Sequence, residues 1–364
     1  MAQMRSWVAM TAGAAMAALA GCVTLPDRVA FELRAPAEHE QHAFGGGTAR
    51  AMTRAQPKQE RRGFDASTLL LAHGQIIVSE TGGAMSLFYS LFAADYAPWV
   101  HAGIVAIEEG EAVVYETVGS FFPVPGFVPT DTVTGAVRRV SVDRFARGKR
   151  IVGVYALPVH TDPDRLVAFA REHYRRGTLF DPYFDTDDVS ALYCTEFVAM
   201  ALAAAGATSI TPTPIRDNES LATARDWLHL RSRSVYLAGR LIESTREMAR
   251  WSADLSPAQI EAYFAIKREL HRRFDAQARL GHVFRWNGFA LSLREDVQRF
   301  VDAALAAADE PSLDSRAVLA RIDHLAQRHF DSFRASPAKA SLPTSDRSPD
   351  VTGRHASVTG DPRE

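Results

Sequence analysis

The order in which hydrophobic periods appear along the chain does most to constrain its fold. From Phe64 to about Gly206, β-type runs at 75–79, 100–107, 112–118, 136–142 and 151–158 are interleaved with helical stretches near 84–94, 162–175 and 194–205. Beyond Asn218 the period is helical almost throughout, near 219–230, 238–251, 256–280, 289–308 and 312–334. Strands gathered in one part of a chain and helices in another pack as an α+β fold. The expected divisions are a leader 1–21, a tether 22–63, an α+β domain 64–217, a helical extension 218–335 and a disordered tail 336–364. Ser256-Pro257 should open one extension helix and Gly281 close it. The tether holds Gly45-Gly46-Gly47 and no sustained period, while Pro, Ser, Asp and Gly dominate the tail, so neither has the apolar residues a core needs.

The leader has its own chemistry. Arg5 precedes an uncharged run from Ser6 to Leu19, and Leu19-Ala20-Gly21-Cys22 follows. A basic start, an apolar middle and small residues at a cut site are the marks of an export signal. The apolar run is too short for a permanent span, which needs about 20 residues. A Cys directly after the cut suits thioether attachment of a diacylglycerol, and Leu-Ala-Gly-Cys resembles the bacterial lipobox. That resemblance implies a lipoprotein signal peptide, lipid attachment at Cys22, and a mature chain anchored to a membrane of the cell envelope and facing the periplasm. Val23 stands where an Asp is associated with inner-membrane retention, so the outer membrane is the expected location.

Composition narrows the function. A formal net charge of −2 over 364 residues argues against a generic nucleic-acid binder, and no nucleic-acid partner is expected. No internal repeat, Gly-rich phosphate loop or paired-Cys zinc motif is present. The chain has two cysteines, and with Cys22 lipidated Cys194 has no intramolecular partner. In an oxidising compartment a lone thiol is either buried and inert or kept for its chemistry.

Cys194 falls where a polar turn, Asp187-Asp188, gives way to an amphipathic helix that Gly206 can end. Unpaired N–H groups and the positive end of the helix dipole gather there and favour thiolate over thiol. Burial as a small apolar residue is the alternative. A nucleophilic thiol needs a base, and His101 is the histidine that opens a compact β run, Val100-His101-Ala102-Gly103-Ile104-Val105-Ala106-Ile107, although strand ends also carry ordinary half-exposed histidines. If a two-residue loop at Glu109-Gly110 joins this run to Ala112-Val113-Val114-Tyr115-Glu116-Thr117-Val118, then Gly103 faces Glu116 and His101 faces Val118. His101 and Glu116 become diagonal neighbours on one face, with no side chain from Gly103 between them. A one-residue slip would move Glu116 to the other face.

These segments, with Phe180-Asp181-Pro182-Tyr183-Phe184-Asp185 and Leu192-Tyr193-Cys194-Thr195-Glu196-Phe197-Val198, resemble the YiiX-like branch of the permuted NlpC/P60 papain-like cysteine hydrolases. The likeness covers about residues 64–210. It implies a circularly permuted papain-like fold, with an antiparallel sheet and a nucleophile helix, followed here by a C-terminal helical extension. It implies catalytic roles for Cys194 as nucleophile, His101 as base and later acid, and Glu116 as the group that orients the ring. Gly74-Gln75 stands where Gly-Asp is frequent, and Thr195 where Ser is common; neither departure removes a proposed catalytic group.

The implied reaction is acyl transfer to water without metal or organic cofactor: hydrolysis of an amide in a peptide, a peptidoglycan stem peptide or a lipid. Tyr193, Trp99 and Tyr96 are the substrate-binding candidates. Two alternatives stand beside this reading. Tyr193-Cys194-Thr195-Glu196-Phe197-Val198 also resembles the cysteine motif of lecithin:retinol acyltransferase-like proteins, a lipid acyltransferase or phospholipase-like chemistry. The aromatic stripe Leu87-Phe88-Tyr89-Ser90-Leu91-Phe92 with Tyr96-Ala97-Pro98-Trp99 then either lines an acyl pocket or packs in the core, and Phe121-Phe122-Pro123-Val124-Pro125-Gly126-Phe127 either faces substrate or covers the sheet. The other alternative is a non-catalytic envelope binding protein that keeps the fold as a docking surface.

Overall fold

The computed structural model describes residues 69, 71–120, 134–227, 230–274, 278–286, 291–308 and 315–334. The leader, Cys22, the tether, the 121–127 loop and the tail lie outside these residues. The architecture is α+β. Six strands, β1 (Ile76–Glu80), β2 (His101–Glu108), β3 (Glu111–Ser120), β4 (Thr134–Ser141), β5 (Ile151–Tyr155) and β8 (Glu247–Ser252), form one sheet in the order β4-β3-β2-β1-β5-β8. Every neighbouring pair is antiparallel. Two short pairs stand apart: β6 (Thr213–Pro214) with β7 (Ser234–Val235), and β9 (Phe284–Trp286) with β10 (Leu291–Leu293).

The helices are α1 (Gly83–Phe92), α2 (Val142–Ala146), α3 (Pro163–Arg176), α4 (Cys194–Ala204), α5 (Glu219–Trp227), α6 (Ala238–Ile242), α7 (Pro257–Arg273), α8 (Glu295–Ala308) and α9 (Ser315–Arg334). Both sheet faces are covered. Ala102, Ile104 and Ala106 of β2 pack against Leu166 and Ala170 of α3 and Phe197, Val198 and Leu202 of α4. The alternate residues Ile77, Val105, Val114 and Val154 meet Val142 and Phe145 of α2. This two-faced burial explains why Ile76, Ile77 and Val78 of β1 are apolar in succession rather than in alternation.

The strands expected between 75 and 158 and the helices near 84, 162 and 194 are present with small shifts at their ends. Three expectations for the extension need correction. The helix expected over 238–251 is the short α6 followed by strand β8, because β8 pairs with β5 along an edge that would otherwise leave core backbone groups unpaired. The propensity of Glu247-Met248-Ala249-Arg250 for helix is a weak preference that this pairing overrides. The helix opened by Ser256 and Pro257 ends at Arg273 with Phe274 as its cap, not at Gly281, which lies in a single helical turn from Leu280 to His282. The helix expected from 289 begins at Glu295, after β10.

The extension shares its core with the rest of the chain. Leu87, Phe88 and Leu91 of α1 pack in one cluster with Ala262, Ile266 and Leu270 of α7, Val297 and Phe300 of α8, and Val318 and Ile322 of α9. With β8 in the sheet, residues beyond 217 contribute to both layers. Among the described residues, no helix is long and apolar enough to cross a membrane.

Candidate active site

Cys194 is the first residue of α4. Tyr193 before it is extended, with φ −87° and ψ 167°, so the chain enters the helix abruptly and Cys194 sits among the unpaired N–H groups of the first turn. Gly206, at φ +90°, ends the helix with a conformation that favours glycine. Two hydrogen bonds pin the helix start: Tyr193 Oη accepts the Tyr236 N–H at 2.8 Å, and Thr195 Oγ1 donates to the Tyr236 carbonyl at 2.7 Å. Cys194 therefore stands between two residues tied to the same outside segment.

His101 opens β2 and is fully buried. The β2–β3 hairpin has the expected register, with Glu108 opposite Glu111 and Ile104 opposite Tyr115. Its loop residues Glu109 and Gly110 have φ 52° and 84°, the left-handed pair a tight two-residue hairpin requires. A side chain at Gly103 would meet Val114 Cγ1 at 2.7 Å and the Tyr115 carbonyl oxygen at 3.0 Å, so glycine is needed there. His101 Nε2 lies 2.5 Å from Glu116 Oε2, and the Phe145 ring stacks on the imidazole with centroids 5.4 Å apart.

Glu116 has a second partner that sequence reasoning missed. Arg138 stands directly opposite it on β4 and donates to Oε1 through Nε at 2.9 Å and Nη2 at 2.7 Å. Burial opposes ionisation of Glu116, but His101, then Arg138 and Lys149, outweigh it and hold the carboxyl down at about 2. Glu116 is thus an acceptor, and His101 Nε2 carries a proton in either charge state. The other ring nitrogen remains for Cys194, to which His101 is hydrogen-bonded. Burial alone would lower the imidazole pKa; the thiol and Glu116 together raise it above its ordinary value.

The structure therefore brings Cys194, His101 and Glu116 into one hydrogen-bonded line and adds Arg138 behind it. Cys194 keeps 3% of its surface exposed. Of the other histidines of the α+β part, His73 is engaged with the Ile107 N–H and His173 with Thr178 Oγ1, and His160 is exposed.

No family model matches the chain, and no curated protein matches it. A solved structure described as the metalloprotein yiiX from Escherichia coli O157:H7 aligns over 50% of this chain and 97% of its own, at 15% identity and a TM-score of 0.37. A likeness that low carries no argument.

Tyr193, Trp99 and Tyr96 occupy structural positions. Tyr193 is fully buried beneath Phe184, with ring centroids 4.7 Å apart. Trp99 packs on Phe264 at 4.9 Å and on Tyr155 at 6.3 Å. Tyr96 donates to the Phe264 carbonyl at 2.7 Å under the Arg268 guanidinium. Trp99 and Tyr96 thus fasten the 93–100 segment to α7. Among the described residues, no group of three or more His, Cys, Asp or Glu could hold a metal ion.

Proposed function

We propose that the chain is a membrane-anchored cysteine hydrolase that cleaves an amide bond through a thioester acyl-enzyme. The carrying observation is the line from Cys194, on the first turn of α4, through His101 to the ionised Glu116. In this reading the Cys194 thiolate attacks the substrate carbonyl carbon, and the carbonyl electron pair moves onto oxygen. Backbone N–H groups at the start of α4 face that developing charge. Collapse expels the amine, which takes its proton from the imidazolium of His101. Water, deprotonated by His101, then attacks the thioester carbon and releases the acid with Cys194 as thiolate. Glu116 holds the ring and stabilises its charged form throughout. A lipid anchor at Cys22 would place peptidoglycan stem peptides, other peptides and lipid amides within reach. The aromatic stripe packs in the core, so lipid acyl transfer draws no support from it.

The test uses the full chain carrying Cys22→Ser, which leaves Cys194 as its one thiol. A peptidyl vinyl sulfone should label it, Cys194→Ala should abolish labelling, and His101→Ala should slow it severely. A thiol that does not react, or reacts equally well without His101, would sink the hydrolase reading in favour of an anchored binding protein.

A further inference from the structure

The first turn of α4 carries another buried carboxyl group, Glu196, two residues after Cys194. It is 0% exposed. Its Oε2 accepts a long hydrogen bond, 3.4 Å, from the Tyr193 N–H, and its Oε1 has no hydrogen-bond partner. The groups around it are acidic or neutral: Asp181, Asp185 and Asp188 from the loop before α4, and the phenols of Tyr193 and Tyr236. Arg231, the cation of this cluster, pairs with Asp185 at 3.5 Å and lies over the Tyr183 ring.

Two other buried carboxyl groups among the described residues have a cation beside them. Glu116 has Arg138 and His101; Glu80 has Lys267, Tyr263, Ser86 and the Gly82 N–H. Asp181, beside Glu196, is itself pushed up by burial, but two short backbone bonds, from Tyr183 at 2.8 Å and Asp185 at 2.6 Å, and the Arg231 charge oppose that shift. Glu196 has a single long bond. When two carboxyl groups share a buried site and one is better solvated by N–H donors, the other takes the proton.

We infer that Glu196 is a protonated carboxylic acid at neutral pH, and that its ionisation changes the reactivity of Cys194 at alkaline pH. The first clause stands on the packing alone; the second rests on the proposed cysteine chemistry. Burial, reinforced by the aspartates, pushes the Glu196 carboxyl up to about 8. Neutral Glu196 caps the Tyr193 N–H while leaving the positive end of α4 to the thiolate. Ionised, it places a second negative charge in the same turn, and the two anions compete for the same N–H groups. Glu196 is a positioning residue in this account and does not touch substrate.

Two measurements on the full chain with Cys22→Ser test it. Infrared difference spectra against the same chain with Glu196→Gln should show the carbonyl stretch of a protonated carboxyl at pH 7, lost as the pH rises. Across the same range, iodoacetamide alkylation of Cys194 should trace, besides the steps of the thiol and of the His101 imidazolium, one that coincides with loss of that band. Glu196→Gln should keep the acid step and the step set by the His101 imidazolium, and lose the one that coincides with the band. A carboxylate band at pH 7 would overturn the first clause. A protonated band with alkylation curves identical in the two chains would overturn the second, and a thiol unreactive at every pH would overturn the second together with the hydrolase reading while leaving the band to report on the first.

Discussion

Glu80 at the end of β1 and Glu116 within β3 are both excluded from solvent, at 0% and 1% exposure, and each is paired with a cation. Their surroundings diverge from there. Glu80 accepts from Lys267 Nζ at 2.9 Å, Tyr263 Oη at 2.7 Å, the Gly82 N–H at 2.9 Å and the Ser86 hydroxyl. Lys267 spends its remaining donors on Ser86 Oγ and the Pro98 carbonyl, each at 2.9 Å. That network is closed: every bond joins one fixed segment to another, across β1, α1, the 93–100 segment and α7. The Glu116 network ends on His101, whose second nitrogen faces a thiol. A saturated buried network holds segments in place, whereas one that terminates on a titratable nucleophile can pass a proton. Through Pro98, the first also braces the chain that leads into His101.

If the contrast is right, substitutions in the two networks should have opposite signatures. His101→Ala should cut the rate of Cys194 labelling at pH 7 by about 100-fold to 10,000-fold, the range of general acid–base catalysis, with a smaller fall in the denaturant midpoint than Lys267→Ala gives. Equal loss of stability and reactivity would erase the distinction. Lys267→Ala should do the reverse: a buried Glu80 stripped of its cation costs about 3–5 kcal/mol, read as a fall in denaturant midpoint, with labelling preserved in the fraction that remains folded.

A finer test exploits pH. Glu116 is held at about 2, below its ordinary 4.5, so its contribution to stability is fully present above pH 4.5 and lost as the pH falls toward 2. His101 is shifted upward, so its contribution is present below its ordinary 6.5 and lost as the pH rises through the higher folded value. Glu116→Gln should remove the acid-side loss, seen in urea midpoints between pH 6 and 3, and should move the alkaline edge of the imidazolium to lower pH. The smallest expected effect is Arg138→Ala. Its side chain is 23% exposed, so losing the charged bonds to Glu116 should cost about 2 kcal/mol and slow labelling only modestly.

Much of the site was legible in the chain because its cues are local. The Glu109-Gly110 turn dictates a register, the register sets His101 and Glu116 on one face, and Gly103 leaves the space between them. Cys194 is marked by the switch from a polar turn to helical period. Arg138 was not legible, since its place opposite Glu116 depends on the pairing of β3 with β4 across a long connection. Nor was the neutrality of Glu196: the residue looks like an ordinary first-turn glutamate until its burial and its aspartate neighbours are known. The extension misled for a related reason. Glu247–Ser252 has the composition of a helix, and only the open edge of β5 makes it a strand.

By itself, then, the sequence determined the α+β order, the hairpin register and the helix start that carries Cys194, because turns, caps and side-chain periods act over a few residues. The tertiary structure alone decided how the buried charges are partnered, that α7 braces the 93–100 segment before His101, and that the aromatic stripe Tyr96 to Trp99 packs against that helix. Those outcomes depend on what lies across a sheet or a core, where desolvation and partner geometry outweigh the preferences written in any single segment.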